Sequence, residues 1–188
     1  SLQGFSTLRQ LRLRVQGRPL LAVFSGDTIV DQRYWGQTAL QRAFLRYVIG
    51  CKLRHPWLPV YWYLITKGYK TYLLLARNFP EHWPRYDRPT PPWQAEVLDR
   101  LARQLFPDTW RPEAGVLAHA GRGGCLRADV APLSEELLSL PQVRFFAERN
   151  PGHAQGDELC TLGRVGADLW TAYMGKLVRR SLSRWWRR

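Results

Sequence analysis

Acidic residues are scarce where the chain begins: the first 80 residues hold only Asp27 and Asp31 against 12 Lys and Arg, giving that stretch a formal charge of +10. Cysteine is scarce too. Cys51, Cys125 and Cys160 stand far apart with no CxxC and no Cys/His pairing of the kind that closes a zinc site. Three isolated thiols argue against a disulfide scaffold and predict a reducing, cytoplasmic setting with buried free cysteines. No apolar run approaches the roughly 20 residues needed to cross a bilayer. No serine sits in a nucleophile-elbow setting, so a Ser/His/Asp triad has no sequence support. No period of solenoid length recurs.

What is present is a well-endowed core. Of 188 residues, 45% are hydrophobic and 13% aromatic. That is enough buried surface for one domain to offset the entropy of ordering the backbone. Net charge is +13. Residues 81–174 are mildly acidic, whereas 175–188 carry six basic residues and no acid. Two separated basic regions point to anionic partners.

Strand signals occupy Leu11 to Val15 and Leu20 to Phe24, joined by the turn chemistry of Gln16-Gly17-Arg18-Pro19. A second turn is expected at Ser25-Gly26-Asp27, then a short strand that begins with Thr28-Ile29-Val30 and ends near Tyr34. From Gln37 to Leu53 the apolar residues Leu40, Phe44, Tyr47, Val48 and Cys51 recur at helical spacing. His55-Pro56 ends that helix. Pro59 to Thr66 is β-branched and aromatic throughout, the signature of a strand buried on both faces. Strand, helix and strand in this order require a right-handed crossover and parallel pairing.

Helices are predicted over Tyr69–Phe79 and Trp93–Leu105, with an ordered proline-rich loop over 80–92 between them. Turns and short strands are expected over 107–133, and a last strand over Glu158–Val165. The fold class is therefore α/β (α+β), a mixed central sheet with flanking helices. Residues 1–167 form the domain, and 168–188 form a basic amphipathic helix tipped by Trp185 and Trp186. Such a helix suits an anionic membrane surface through residues 175–188. Nucleic acid is the less favoured partner, since no recognisable binding signature accompanies the charge.

The most informative stretch is Val30 to Phe44, where a strand runs into a turn with one glycine that opens into an arginine-bearing helix. Unpartnered N–H groups at a helix start suit a phosphate. Tyr34, Gly36 and Gln37, followed by Arg42-Ala43-Phe44, resemble the cofactor-binding motif of the GNAT acyltransferase superfamily. Arg33-x-x-Gly36 fits the strict form of that motif. Trp35, Thr38 and Leu40 depart from its usual residues.

The resemblance covers roughly residues 10–80, and it implies that a first strand and helices lie upstream of Ser1. It further implies acetyl-CoA or a longer acyl-CoA as cofactor, held by Arg33, Gly36, Gln37, Thr38, Ala39 and Arg42, and an amine as acceptor. Tyr72 would be the acid for the departing thiolate, with Tyr69 as second choice. Asp31 would be the base, followed by Asp27. Arg46 and Lys52 are further candidates for neutralising phosphate. None of His55, His82, His119 and His153 is singled out by a motif. No metal is called for. The alternative is a non-catalytic peripheral membrane or protein-interaction module that keeps the fold without the activity.

Overall fold

A computed structural model describes residues 3–34, 39–119, 124 and 132–169. Among these residues seven strands form one sheet: β1 (Gly4–Val15), β2 (Arg18–Val30), β3 (Val60–Thr66), β4 (His82–Trp83), β5 (Trp110–Arg111), β6 (Val116–Leu117) and β7 (Glu158–Arg164). The helices are α1 (Ala39–Arg54), α2 (Tyr69–Asn78), α3 (Pro92–Leu105), α4 (Glu135–Leu138) and α5 (Pro141–Arg149). Strand order is β1-β2-β3-β7-β6-β5, with β4 also pairing β7. β2 and β3 are parallel and every other pair is antiparallel. The mixed sheet with flanking helices agrees with the sequence reading.

The β1–β2 hairpin closes on two residues, Gln16 and Gly17, with φ of 48° and 75°. A two-residue turn whose twist matches its strands needs positive φ at both places, which the glycine supplies without steric cost. The second expected turn is not there. Ser25-Gly26-Asp27 lies inside β2, and the register jumps from Ser6↔Thr28 to Leu8↔Ser25, so Gly26 and Asp27 together oppose the single residue Thr7. This is a β-bulge. A Cβ on Gly26 would stand 2.6 Å from the Thr7 hydroxyl oxygen, which is why turn-like composition persists in an unbroken strand.

β3 is buried along nearly its whole length, and its two faces feed different cores. Tyr61 and Tyr63 join Leu20, Ala22, Cys160 and Leu162 beneath Val97, Leu98, Leu101 and Ala102 of α3. Val60, Trp62 and Leu64 pack with Val48 and Cys51 of α1 and with Leu75 and Phe79, at the C-terminal end of α2. The N-terminal half of α2 turns toward α5, where Tyr69, Tyr72 and Leu73 meet Val143, Phe146 and Leu159. Helix α3 therefore covers one face of the sheet, and α1, α2 and α5 cover the other.

Helix α3 begins with Pro92 in its first turn, where the missing N–H costs no hydrogen bond. Two i,i+4 ion pairs, Glu96–Arg100 and Asp99–Arg103, line its outer side. It is fastened to the hairpin by Gln16 donating to Glu96 and by Arg100 donating to the Arg14 carbonyl. Helix α5 is an addition to the sequence reading. Phe146 is buried against Tyr72, and Pro141 occupies the first turn. In the proline-rich loop, β4 lies end to end with β6 along one edge of β7. Cys51 and Cys160 are free and buried.

Among the described residues no helix is long and apolar enough to cross a membrane. Cys125 and residues 170–188, nearly all of the expected C-terminal amphipathic helix, lie outside the described residues.

Gly163 shows how closely α2 is laid on the sheet. A Cβ there would come within 2.7 Å of Leu75 Cδ1 and 2.9 Å of Phe79 Cδ1, and both side chains are buried. Overpacking of this kind costs about 1–3 kcal/mol. Gly163→Ala should lower the urea midpoint by a corresponding amount with no change in m-value. An unchanged midpoint would show that α2 is free to ride up from β7.

Candidate functional site

The parallel pair β2–β3 runs in register from Leu21↔Val60 to Ser25↔Leu64 and then stops. β2 continues to Val30 paired only with β1, while Ile65 and Thr66 continue paired only with β7. The strands part at the bulge. A bulged strand bends and twists more strongly than its neighbour, so the two residues Gly26 and Asp27 carry β2 away from β3. The parting lies at the carboxyl ends of parallel strands, where open α/β sheets place ligands. Phe24 and Tyr63 meet there on the α3 face, with ring centroids 5.6 Å apart, and Phe106 packs edge-on against Phe24.

On the opposite face a groove of about 530 Å³ runs between α1, α2 and the 137–140 segment. Leu73, Leu74, Leu137 and Leu140 supply apolar walls, and Gln41, Lys70, Arg77 and Asn78 supply polar and cationic groups. Tyr69 also lines it. An apolar trough edged by an ammonium and a guanidinium suits an amphiphile that carries negative charge.

Trp35, Gly36, Gln37 and Thr38, the center of the expected phosphate cradle, lie outside the described residues. Ala39 opens α1 and is exposed, as is Arg42 on its next turn. Arg33 is not a loose cation. Its guanidinium lies 2.7 Å from Asp31 Oδ2, and Asp31 Oδ1 also accepts from the Arg33 backbone N–H. Bonding from the Arg33 side chain, then from its backbone, holds the Asp31 carboxyl below the usual carboxylate range. Asp31 thus builds the turn after β2, and a carboxylate so stabilised is a weak base. Lys52 is also engaged: its ammonium donates to the carbonyls of Pro56 and Leu58, each at 2.8 Å. Arg46 is exposed on α1, and Asp27 is exposed within the bulge.

Tyr72 is fully buried and donates its hydroxyl to the Pro84 carbonyl at 3.1 Å. It stacks with Phe145 and Phe146, and burial raises its pKa. Its proton is therefore retained and directed at the proline-rich loop. His82 is buried beside it, with Nδ1–H donating to the Phe79 carbonyl at 2.8 Å. His153 makes the same kind of bond to Asn150. Tyr63 donates to Cys160 Sγ at 3.2 Å, and burial pushes that thiol up to about 12, far from a reactive thiolate.

A polar cluster that sequence reading missed lies beyond the carboxyl end of β3. Glu158 Oε2 accepts from His119 Nε2 at 3.1 Å, and Glu158 Oε1 is 3.5 Å from the Lys67 ammonium. Asp157 accepts from the His119 backbone N–H at 2.8 Å. Donation of Nε2–H to Glu158 fixes the ring and leaves Nδ1 as the nitrogen that this carboxylate does not engage. Lys67 and Glu158 are 91 residues apart, and the β3–β7 pairing brings them together. Only that pairing, invisible in local spacing, could have signalled the cluster. Among the described residues no group of three or more His, Cys, Asp or Glu stands close enough to hold a metal.

No family model, curated protein or solved structure matches this chain.

Burial lowers the pKa of His82, and nearby Arg85 and Arg88 act in the same direction. The unfolded chain therefore binds more protons than the native state below the ordinary histidine value of 6.5. The stability this group contributes is complete above 6.5 and is lost as pH falls toward its depressed native value. The urea midpoint should drop between pH 7 and pH 5, and His82→Gln should show a shallower drop from a lower starting point. Equal slopes for parent and variant would remove His82 as the source.

Proposed function

We propose that this chain is an acyl-CoA-dependent acyltransferase domain of the GNAT type, transferring an acyl group to an amine. The observation that carries the reading is the parting of parallel strands β2 and β3 at the Gly26–Asp27 bulge. A slot of this kind lets an extended pantetheine-like chain hydrogen-bond to strand edges that have lost their neighbour. The order of elements supports the same reading: hairpin, crossover helix α1, parallel strand β3, helix α2, then β7 inserted between β3 and β6. The α1–α2 groove, with Lys70 and Arg77 at its edge, would take the phosphate-bearing half of the donor.

Acyl transfer to an amine requires removal of an amine proton and stabilisation of the developing oxyanion. In this reading His119, oriented by Glu158, is better suited to take the proton than the ion-paired Asp31. The amine lone pair attacks the thioester carbonyl, the C–S bond breaks, and the thiolate leaves with a proton. Tyr72 can supply that proton only if its bond to Pro84 is exchanged for one to sulfur.

That engagement of Tyr72, together with the neutralised Asp31, favours a second reading in which the domain binds the donor or a partner without turning it over. The two readings separate on turnover. Acetyl-CoA or a longer acyl-CoA should bind, and Gly36→Trp or Lys70→Glu should weaken binding about tenfold, equivalent to ~1.4 kcal/mol. Thiol release with an amine acceptor, reduced about 100-fold or more in His119→Ala, supports transfer. Binding without thiol release selects the second reading. No binding by the parent, with Gly36→Trp indistinguishable from it, ends both as acyl-CoA proposals.

A further inference from the structure

Trp57 is 94% exposed, the most exposed large hydrophobic side chain among the described residues, and Leu53 near it is 65% exposed. Their exposure belongs to a rigid segment. The turn His55–Leu58 is closed by Leu58 N–H donating to the His55 carbonyl at 3.2 Å, and His55 N–H caps the end of α1 on Cys51. From inside, the Lys52 ammonium grips the carbonyls on both sides of Trp57, those of Pro56 and Leu58, at 2.8 Å each. The next residue, Pro59, accepts from Leu21 N–H at 2.9 Å and ties the turn to β2. A fully hydrated indole forgoes on the order of 2–3 kcal/mol of burial, yet these five hydrogen bonds hold it outward.

The surroundings are cationic. The sequence contains no Asp or Glu from Gln32 to Pro80. Arg54 is exposed at the end of α1, and the Arg12 guanidinium reaches His55 at 3.5 Å. Arg164 is close enough to help depress the Lys52 pKa after burial does so, and it is paired with Asp168 at 3.3 Å. This end of the sheet is opposite the parting of β2 and β3, so the patch is independent of the proposed donor site.

We infer that the Trp57 turn is an interfacial membrane wedge: Trp57 and Leu53 enter the headgroup region of an anionic leaflet while Arg12 and Arg54 meet lipid phosphates. Tryptophan is favoured at that depth because its ring is apolar and its N–H is polar. Each nearby basic side chain adds about 1 kcal/mol at an anionic surface. Charge selects lipid over an uncharged apolar partner. The wedge is distinct from residues 175–188 and acts with that segment present.

The test uses the full chain with vesicles of phosphatidylcholine alone or mixed with phosphatidylserine, some with brominated acyl chains. The parent-minus-Trp57→Phe emission difference isolates one indole among nine tryptophans. It should show hydrated emission in buffer, then shift to shorter wavelength and be quenched by brominated chains on anionic vesicles. Cosedimentation of Trp57→Ser with those vesicles should be about tenfold weaker than that of the parent, with its unfolding midpoint unchanged. Equal sedimentation of parent and Trp57→Ser, equal affinity for neutral vesicles, or no quenching overturns the proposal. A difference spectrum already shifted in buffer also overturns it, by showing that another part of the chain or a second copy covers the indole.

Discussion

Burial of β3 on both faces is the constraint from which the rest of the molecule follows. A strand that meets no water must have its backbone paired on both edges and apolar cover above and below. β2 and β7 provide the edges, in opposite directions. Helix α3 provides one cover, and α1 with α2 provides the other. Because β2 is parallel to β3, the chain must travel the length of the sheet between them, and α1 is that crossover. The turn that returns from α1 to β3 then lies at the foot of the sheet, carrying Trp57, while the carboxyl ends of both strands lie at the other end.

At those carboxyl ends the same constraint is relaxed. The Gly26–Asp27 bulge bends β2 off, so backbone groups at the end of β3 lose a neighbour on one edge while β7 still supports the other. Polar residues collect beyond this end. Thr66 donates to the Leu159 carbonyl and Thr161 to the Leu64 carbonyl, so both buried hydroxyls are satisfied. One step further the Lys67–Glu158–His119 cluster stands partly in solvent. The gradient from satisfied core to accessible acid–base groups runs along only a few residues of β3 and β7.

Much of this order was legible locally. The doubly buried strand, the crossover helix and the helices at Tyr69 and Pro92 follow from periodicity and from proline positions, and the β2–β3 pair is parallel as chain order requires. Turn composition misled at Ser25-Gly26-Asp27, because glycine and aspartate serve a bulge as well as a turn and only the partner strand distinguishes them. Helix α5 was missed because Phe145 and Phe146 fall beside Asn150-Pro151-Gly152, whose turn character dominates a short window. Lys52 looked like a ligand for phosphate by its charge alone. Its geometry makes it a clamp for two carbonyls.

The sequence by itself determined the α/β character, the parallel crossover and the concentration of positive charge before residue 80, since these depend on composition and on neighbours along the chain. Tertiary structure alone decided which polar groups meet. Tyr72 is spent on Pro84, and Glu158 reaches His119 and Lys67 across strands β6, β7 and β3. Side-chain partnership depends on strand order and register, and register relates Lys67 to Glu158, 91 positions away, which no local pattern connects.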